Sequence, residues 1–274
     1  GEANLILHSD DALTTRTADA MLAQKGTQSA VQHLSEVLKR SMRPLALFRR
    51  AKMRVQIAFG ELDEVGADYA RQRDTLLGGA LQDLSETIKL DALHAEAYLC
   101  RGCLEANIGP SSSKTRKRAM EDLAMAIALR PDDARPYLAR AMTYESSGLM
   151  QEAIPDYLAA ARRTGTLGFP LVAVALIYAH ALRDDATAVF YCARALHAEP
   201  TCTRALVVRA ECLHRMGDHR RALADAVRAL RWAPDVPLHR ALFARYLVRA
   251  AQTPQPRTPH HHIYLPHFHS PPPN

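Results

Sequence analysis

An all-α solenoid of stacked antiparallel helix pairs is predicted by three observations. A phrase of aromatic or Leu, apolar, any residue, Arg and a small residue is written at Tyr98-Leu99-Cys100-Arg101-Gly102, Tyr137-Leu138-Ala139-Arg140-Ala141 and Leu206-Val207-Val208-Arg209-Ala210. Each is answered downstream by a second phrase, at Ala119-Met120-Glu121-Asp122-Leu123, Ala153-Ile154-Pro155-Asp156-Tyr157 and Ala222-Leu223-Ala224-Asp225-Ala226. The recurrence, at a period of about 34 residues across 95–236, means supersecondary units that bury their faces on one another rather than around one centre. Composition agrees: much of the 48% hydrophobic content is Ala and Leu, good helix formers, and 12 glycines with one Trp leave little for a β-rich fold.

Taken in order, residues 1–43 read as a degenerate first repeat. Ala18, Met21 and Leu22 mark one amphipathic helix, Gly26-Thr27 a turn, and Ala30, Val31, Leu34, Val37 and Leu38 a second helix. The regular solenoid is expected over 44–251. Pro44 restarts the chain into Leu47-Phe48-Arg49-Arg50-Ala51, partnered by Ala80-Leu81-Gln82-Asp83-Leu84. The insert between them, near 60–77, carries Glu61, Asp63, Glu64 and Asp68, and fits either an extended helix pair or a mobile acidic loop. A second insert, near 110–118, reads as an exposed basic loop because its run of Ser, Lys, Thr and Arg cannot bury itself. Units at 134–167 and 168–202 follow, the latter with a strongly apolar first helix, and then one at 203–236. The stretch 238–251 reads as a capping helix, which solenoids need, and 252–274 as an extended Pro- and His-rich tail.

These units resemble the tetratricopeptide repeat family. With Tyr98 on the family's large fourth position, Gly102 falls on the small eighth, Ala119 on the small twentieth, Leu123 on the large twenty-fourth and Ala126 on the small twenty-seventh, and Pro131 ends the second helix. The same slots hold Tyr137, Ala141, Tyr144, Gly148, Ala153, Tyr157 and Ala160, and later Leu206, Ala210, Leu213, Gly217, Ala222, Ala226, Ala229 and Pro234. Small residues let helices approach and large ones fill the space beside them. The resemblance implies a right-handed superhelix of about six such units plus a capping helix.

Comparison between units predicts an ion pair inside each: Arg50 with Asp83, Arg101 with Asp122, Arg140 with Asp156 and Arg209 with Asp225. In the fifth unit both members are replaced together, by Val174 and Tyr191. A half-buried Arg on a helix face needs a carboxylate, so the pairs read as structural.

The resemblance further implies a concave, partner-binding groove lined by first-helix residues. In successive units these are Glu96, Leu99, Cys103 and Asn107; then Arg135, Leu138, Met142 and Glu145; then Phe169, Val172, Leu176 and His180; then Arg204, Val207, Glu211, His214 and Arg215. The lining is apolar in the middle and basic at the Arg204, His214, Arg215 end, which suits an apolar or acidic peptide segment. The groove could equally hold the chain's own tail, where Ile263, Tyr264, Leu265 and Phe268 interleave the histidines, or a neighbouring chain. The slots of the chaperone-binding carboxylate clamp hold Leu99, Cys103, Ala139, Phe169 and Ala173, none of which can clamp a carboxylate.

The function predicted is a non-enzymatic scaffold joining other proteins through the groove, the inserts or the tail. No Gly-rich phosphate loop, His-Glu-x-x-His helix or nucleophile elbow occurs, and no cofactor is expected. His260, His261, His262, His267 and His269 could ligate a metal, yet the intervening prolines fix no geometry, so binding there is read as adventitious. Cys100 and Cys103 read as packing residues rather than half a zinc site, and the five cysteines as reduced thiols. A formal charge of +6 without a focused basic face is an ordinary solvated surface. The alternative is an RNA-binding helical repeat, which would need polar base-reading residues recurring at fixed slots. No apolar run is long enough to span a bilayer, and a start at Gly1 without a signal-like segment reads as a fragment lacking its targeting signals. Common uses of the family imply a cytoplasmic setting, as a subunit or assembly factor of a larger complex of the cytoskeletal or ciliary kind.

Overall fold

The computed structural model describes residues 14, 16–23, 26–61, 68–108, 113–163 and 168–252. Thirteen α-helices and no strand occur among them. They are α1 (16–23), α2 (Thr27–Arg40), α3 (Pro44–Gln56), α4 (Tyr69–Leu90), α5 (Ala95–Ile108), α6 (Ser113–Leu129) and α7 (Ala134–Ser146). Then come α8 (Met150–Arg163), α9 (Gly168–Leu176), α10 (Asp185–Ala198), α11 (Thr203–Arg215), α12 (His219–Trp232) and α13 (Pro237–Gln252). Contacts run mainly between sequence neighbours, within the pairs and from each pair to the next. The apolar interior is correspondingly a row of small clusters rather than one core.

Local chemistry sets the helix ends. Pro44 occupies the first turn of α3, where its missing N–H is not needed. Asp133, Asp184 and Asp218 cap α7, α10 and α12, accepting from the backbone N–H of Arg135, Thr187 and Arg221. Gly148 and Gly217, with φ of 78° and 85°, take the left-handed conformation that turns α7 into α8 and α11 into α12. In the fifth unit Arg183 does this at φ 56°, which a side chain tolerates less well.

The small slots act through close approach. A β-carbon on Gly102 of α5 would lie 3.0 Å from the Ala119 carbonyl oxygen and 3.0 Å from Leu123 Cγ, both on α6. Gly102→Val is therefore expected to cost about 1–3 kcal/mol in urea unfolding by overpacking. A loss below about 0.5 kcal/mol would mean that α5 and α6 can separate without cost.

Of the two inserts, one differs from the sequence reading. The segment expected as a basic loop, 110–118, is helical from Ser113 onward. Its polar residues form a solvated face on α6, and Arg118 reaches back 2.9 Å to the buried Glu105 of α5. The other insert, near 60–77, adds helix at both ends: a π-helical turn at Ile57–Glu61 continues α3, and α4 runs 22 residues. A second π-helical turn, Ile177–Ala181, continues α9. Parts of both inserts, 62–67 and 109–112, lie outside the described residues, as does the tail from 253 with its histidines and apolar residues.

Candidate functional site

Each recurrent arginine meets the aspartate opposite it. Arg50 donates to Asp83 at 2.9 and 2.7 Å, and Arg101 to Asp122 at 2.6 and 2.8 Å. Arg140 donates to Asp156 at 2.7 and 2.8 Å, and Arg209 to Asp225 at 2.7 Å through both nitrogens. All four are two-pronged, the geometry a guanidinium and a carboxylate form best. Hydrogen bonding to the aspartate raises the pKa of Arg101, Arg140 and Arg209 above the ordinary arginine value. In the fifth unit Val174 is fully buried and Tyr191 stacks on Tyr178 with ring centres 5.6 Å apart, an apolar contact in place of the pair.

Two of these arginines have a second partner that comparison between units does not reveal. Arg50 also donates to Ser35 on α2, and Arg101 to Ser85 on α4, each at 3.2 Å. Each arginine thereby joins its own pair to the pair before it. The available signal was a serine 15 or 16 residues upstream of each. Asp83 also accepts from Arg54 at 2.8 Å.

Most of the groove residues fall into three groups. Leu99 and Val172 are 8% and 2% exposed and belong to the interior. Leu99 clusters with Leu123 and Ala126, and Val172 with Leu171 and Leu206, because adjoining helices cover this side of each first helix. A second group is spent on internal bonds. Arg135 is held by Asp133 at 2.7 Å and reaches Glu96 at 3.3 Å, while Glu96 also faces Lys52 at 4.0 Å. Arg215 pairs with Asp185 at 2.5 Å. His214 Nδ1 lies 3.0 Å from His219 Nδ1, a spacing at which one ring donates and the other accepts. Burial, together with His219, Arg245 and Arg249, holds the His214 imidazole below its ordinary value. The basic end expected from Arg204, His214 and Arg215 thus reduces to Arg204, which makes no ion pair among the described residues. His180 is exposed on the second π-helical turn, where the wider turn breaks the slot count from Phe169.

The third group converges on cavities. Met142, Glu145, Phe169, Leu176 and Arg204, with Tyr157, Met150, Ser146 and Ala173, line a cavity of about 490 Å³ spanning α7 to α11. Met142 and Phe169 are 52% and 51% exposed, large apolar surfaces that no described residue covers. Tyr157, from the second helix of its pair, forms the floor: its ring meets Phe169 edge-on at 6.5 Å and its hydroxyl donates to Glu145 at 2.6 Å. Burial and that carboxylate push the Tyr157 phenol well above its usual range, so it stays a donor. Glu145 is therefore occupied, and Arg204 is the available charge at the rim.

Cys103 and Asn107 line a larger cavity of about 810 Å³ between α3, α4 and α5, with Phe59, Lys52, Arg73 and Cys100. Burial raises the Cys103 thiol to about 11 and Cys100 in the same direction, so both remain protonated rather than reactive thiolates. Leu138, Val207 and Glu211 are half-buried and line neither cavity. Among the described residues no group of three or more His, Cys, Asp or Glu could hold a metal, and no helix is long and apolar enough to cross a membrane.

Comparison with known proteins agrees with this architecture. The tetratricopeptide repeat family matches residues 134–164, the fourth pair. No curated protein matches the chain by sequence. Among solved structures, the chain is similar to Pseudomonas aeruginosa pilF, at 13% identity and a TM-score of 0.60 over 88% of this chain and 98% of that one. It is also similar to YrrB, described as a TPR protein with an unusual peptide-binding site, at 13% identity and 0.54 over 76% and 96%. A tetratricopeptide repeat protein from Parabacteroides merdae matches at 18% identity and 0.50 over 87% and 84%.

Proposed function

We propose that this chain, a tetratricopeptide repeat protein, is a non-enzymatic scaffold that holds an extended segment of another protein in the cavity between α7 and α11. The observation that carries the reading is the pairing of uncovered Phe169 and Met142 with the unpaired Arg204 around one cavity. Exposed aromatic and Met side chains beside a pocket are what binding surfaces use, and a single rim cation selects a carboxylate. The ligand read from this is a large apolar residue next to Asp or Glu. YrrB supports the mode of use, being itself described as having a peptide-binding site. Protein rather than RNA is favoured because the groove slots run from apolar to charged, with no polar pair recurring at fixed positions. A cytoplasmic setting, and membership of a larger assembly of the cytoskeletal or ciliary kind, follow from the family's common uses and not from any residue here.

Panning a displayed random-peptide library against the chain tests this. Enriched peptides should carry an apolar residue beside an acidic one. Phe169→Ala should weaken them about tenfold or more, and Arg204→Glu should shift the preference to basic peptides. Both side chains are exposed, so the variants keep the fold. Enrichment indifferent to both substitutions would overturn the reading.

A further inference from the structure

The larger cavity, of about 810 Å³ between α3, α4 and α5, takes part of its wall from turns that the regular repeat lacks. Phe59 stands on the π-helical continuation of α3, and Arg73, Asp74 and Leu77 stand on the stretch of α4 that precedes the small slot at Ala80. Leu77, Leu84 and Leu104 are 2%, 1% and 6% exposed and make an aliphatic floor, whereas Phe59, at 61%, stands at the rim. A cavity of this volume with a largely apolar lining and a few polar groups has the build of a small-molecule site. It shares no lining residue with the cavity between α7 and α11.

The polar groups of the lining select the ligand. Of its three charged residues two, Lys52 and Arg73, are cations, and the side chain of the third, Asp74, is 67% exposed. The arginines that lock the helix pairs reach their aspartates at 2.9 Å or less, but Arg73 comes only to 3.7 Å from Asp74. The Arg73 Nε is shielded from water and, among the described residues, has no acceptor. A buried N–H left so is a cost that a bound oxygen relieves. Lys52 is less in need, since Glu96 stands 4.0 Å from it. A bound peptide would bring backbone N–H and C=O groups that each need a partner. The lining has few to give: besides the charged residues and two thiols only Asn107 is polar, and its amide nitrogen donates to the Cys103 carbonyl at 2.7 Å. We infer that this cavity holds a small amphipathic organic anion, an aliphatic carboxylate whose chain lies on the leucine floor. Its carboxylate takes the place of Asp74 on the Arg73 guanidinium and supplies the acceptor that Nε lacks.

Calorimetric titration of the full chain with decanoate, decan-1-ol and decyltrimethylammonium, each below its micellar range, tests this. Decanoate should bind at one site at least about tenfold tighter than the alcohol, and the ammonium not at all. Arg73→Gln should erase the advantage of decanoate over the alcohol, while Lys52→Gln should keep most of it. Arg73 makes no close bond to another residue, so its replacement leaves the fold intact. Cys103→Trp and Val55→Trp, which fill the cavity from two different helices, should each abolish binding, with circular dichroism reporting that each variant is folded. Phe169→Ala should change nothing, which keeps this result distinct from peptide binding at the other cavity. Absence of decanoate binding, equal binding of the acid and the alcohol, an advantage that survives Arg73→Gln, binding that survives in a folded filled variant, or binding that Phe169→Ala removes would each overturn the inference.

Discussion

Arg140→Met is expected to lower the unfolding free energy by about 3–5 kcal/mol, because it strands a buried carboxylate. The Asp156 side chain is 8% exposed and accepts from Arg140 through both oxygens. With the guanidinium gone, the charge must stay buried without a counter-ion or take up a proton. Adding Asp156→Asn removes the charge itself, so the double variant should be no less stable than Arg140→Met alone, to within about 1 kcal/mol. Urea or thermal unfolding of the four proteins completes the cycle. Losses that simply add would show that the two groups act independently.

Tyr246→Ala should cost about 3–5 kcal/mol at the carboxyl-terminal end of the array, the usual penalty for deleting a buried aromatic ring. Tyr246 is 1% exposed and closes the cluster of Ala210, Leu213, Ala222, Ala226 and Leu242, with the His214 ring 4.8 Å away. In a stacked array each unit leans only on its neighbours. The loss should therefore appear in hydrogen exchange as faster opening of α13 and α12, with α5 to α8 little changed. Uniform acceleration along the whole chain would mean that the array unfolds as one cooperative block.

The fold was readable because solenoid contacts are local and repeated. A residue's surroundings in one unit are rehearsed in the next, so the joint replacement of Arg and Asp by Val174 and Tyr191 points to contact between the two slots. What stayed hidden was what depends on exact phase or on one long-range partner. The π-helical turns at Ile57–Glu61 and Ile177–Ala181 leave no mark on apolar periodicity, yet the second breaks the slot count at His180. Arg215 looked like a free cation because Asp185 lies 30 residues away on another unit. Ser113–Arg118 reads as a loop because so polar a run cannot bury itself, whereas a helix with one solvated face is equally polar and Glu105 supplies its anchor. Of the residues that line the cavity between α7 and α11, the slot pattern includes Met142, Glu145, Phe169, Leu176 and Arg204. It missed Tyr157, which reaches the same cavity from the second helix.

The missing ion pair of the fifth unit has a mechanical consequence. A two-pronged Arg to Asp contact is directional and fixes how the two helices of a pair are rotated against each other, whereas contact between Val174 and Tyr191 surfaces costs little to slide. Twisting or bending imposed on the array will therefore collect at α9 and α10, the one pair among the second to sixth built without that lock. Phe169 stands on α9, so the rim of the cavity is carried by the pair that lacks the lock, and amide exchange in α9 and α10 is expected to be faster than in the pairs on either side.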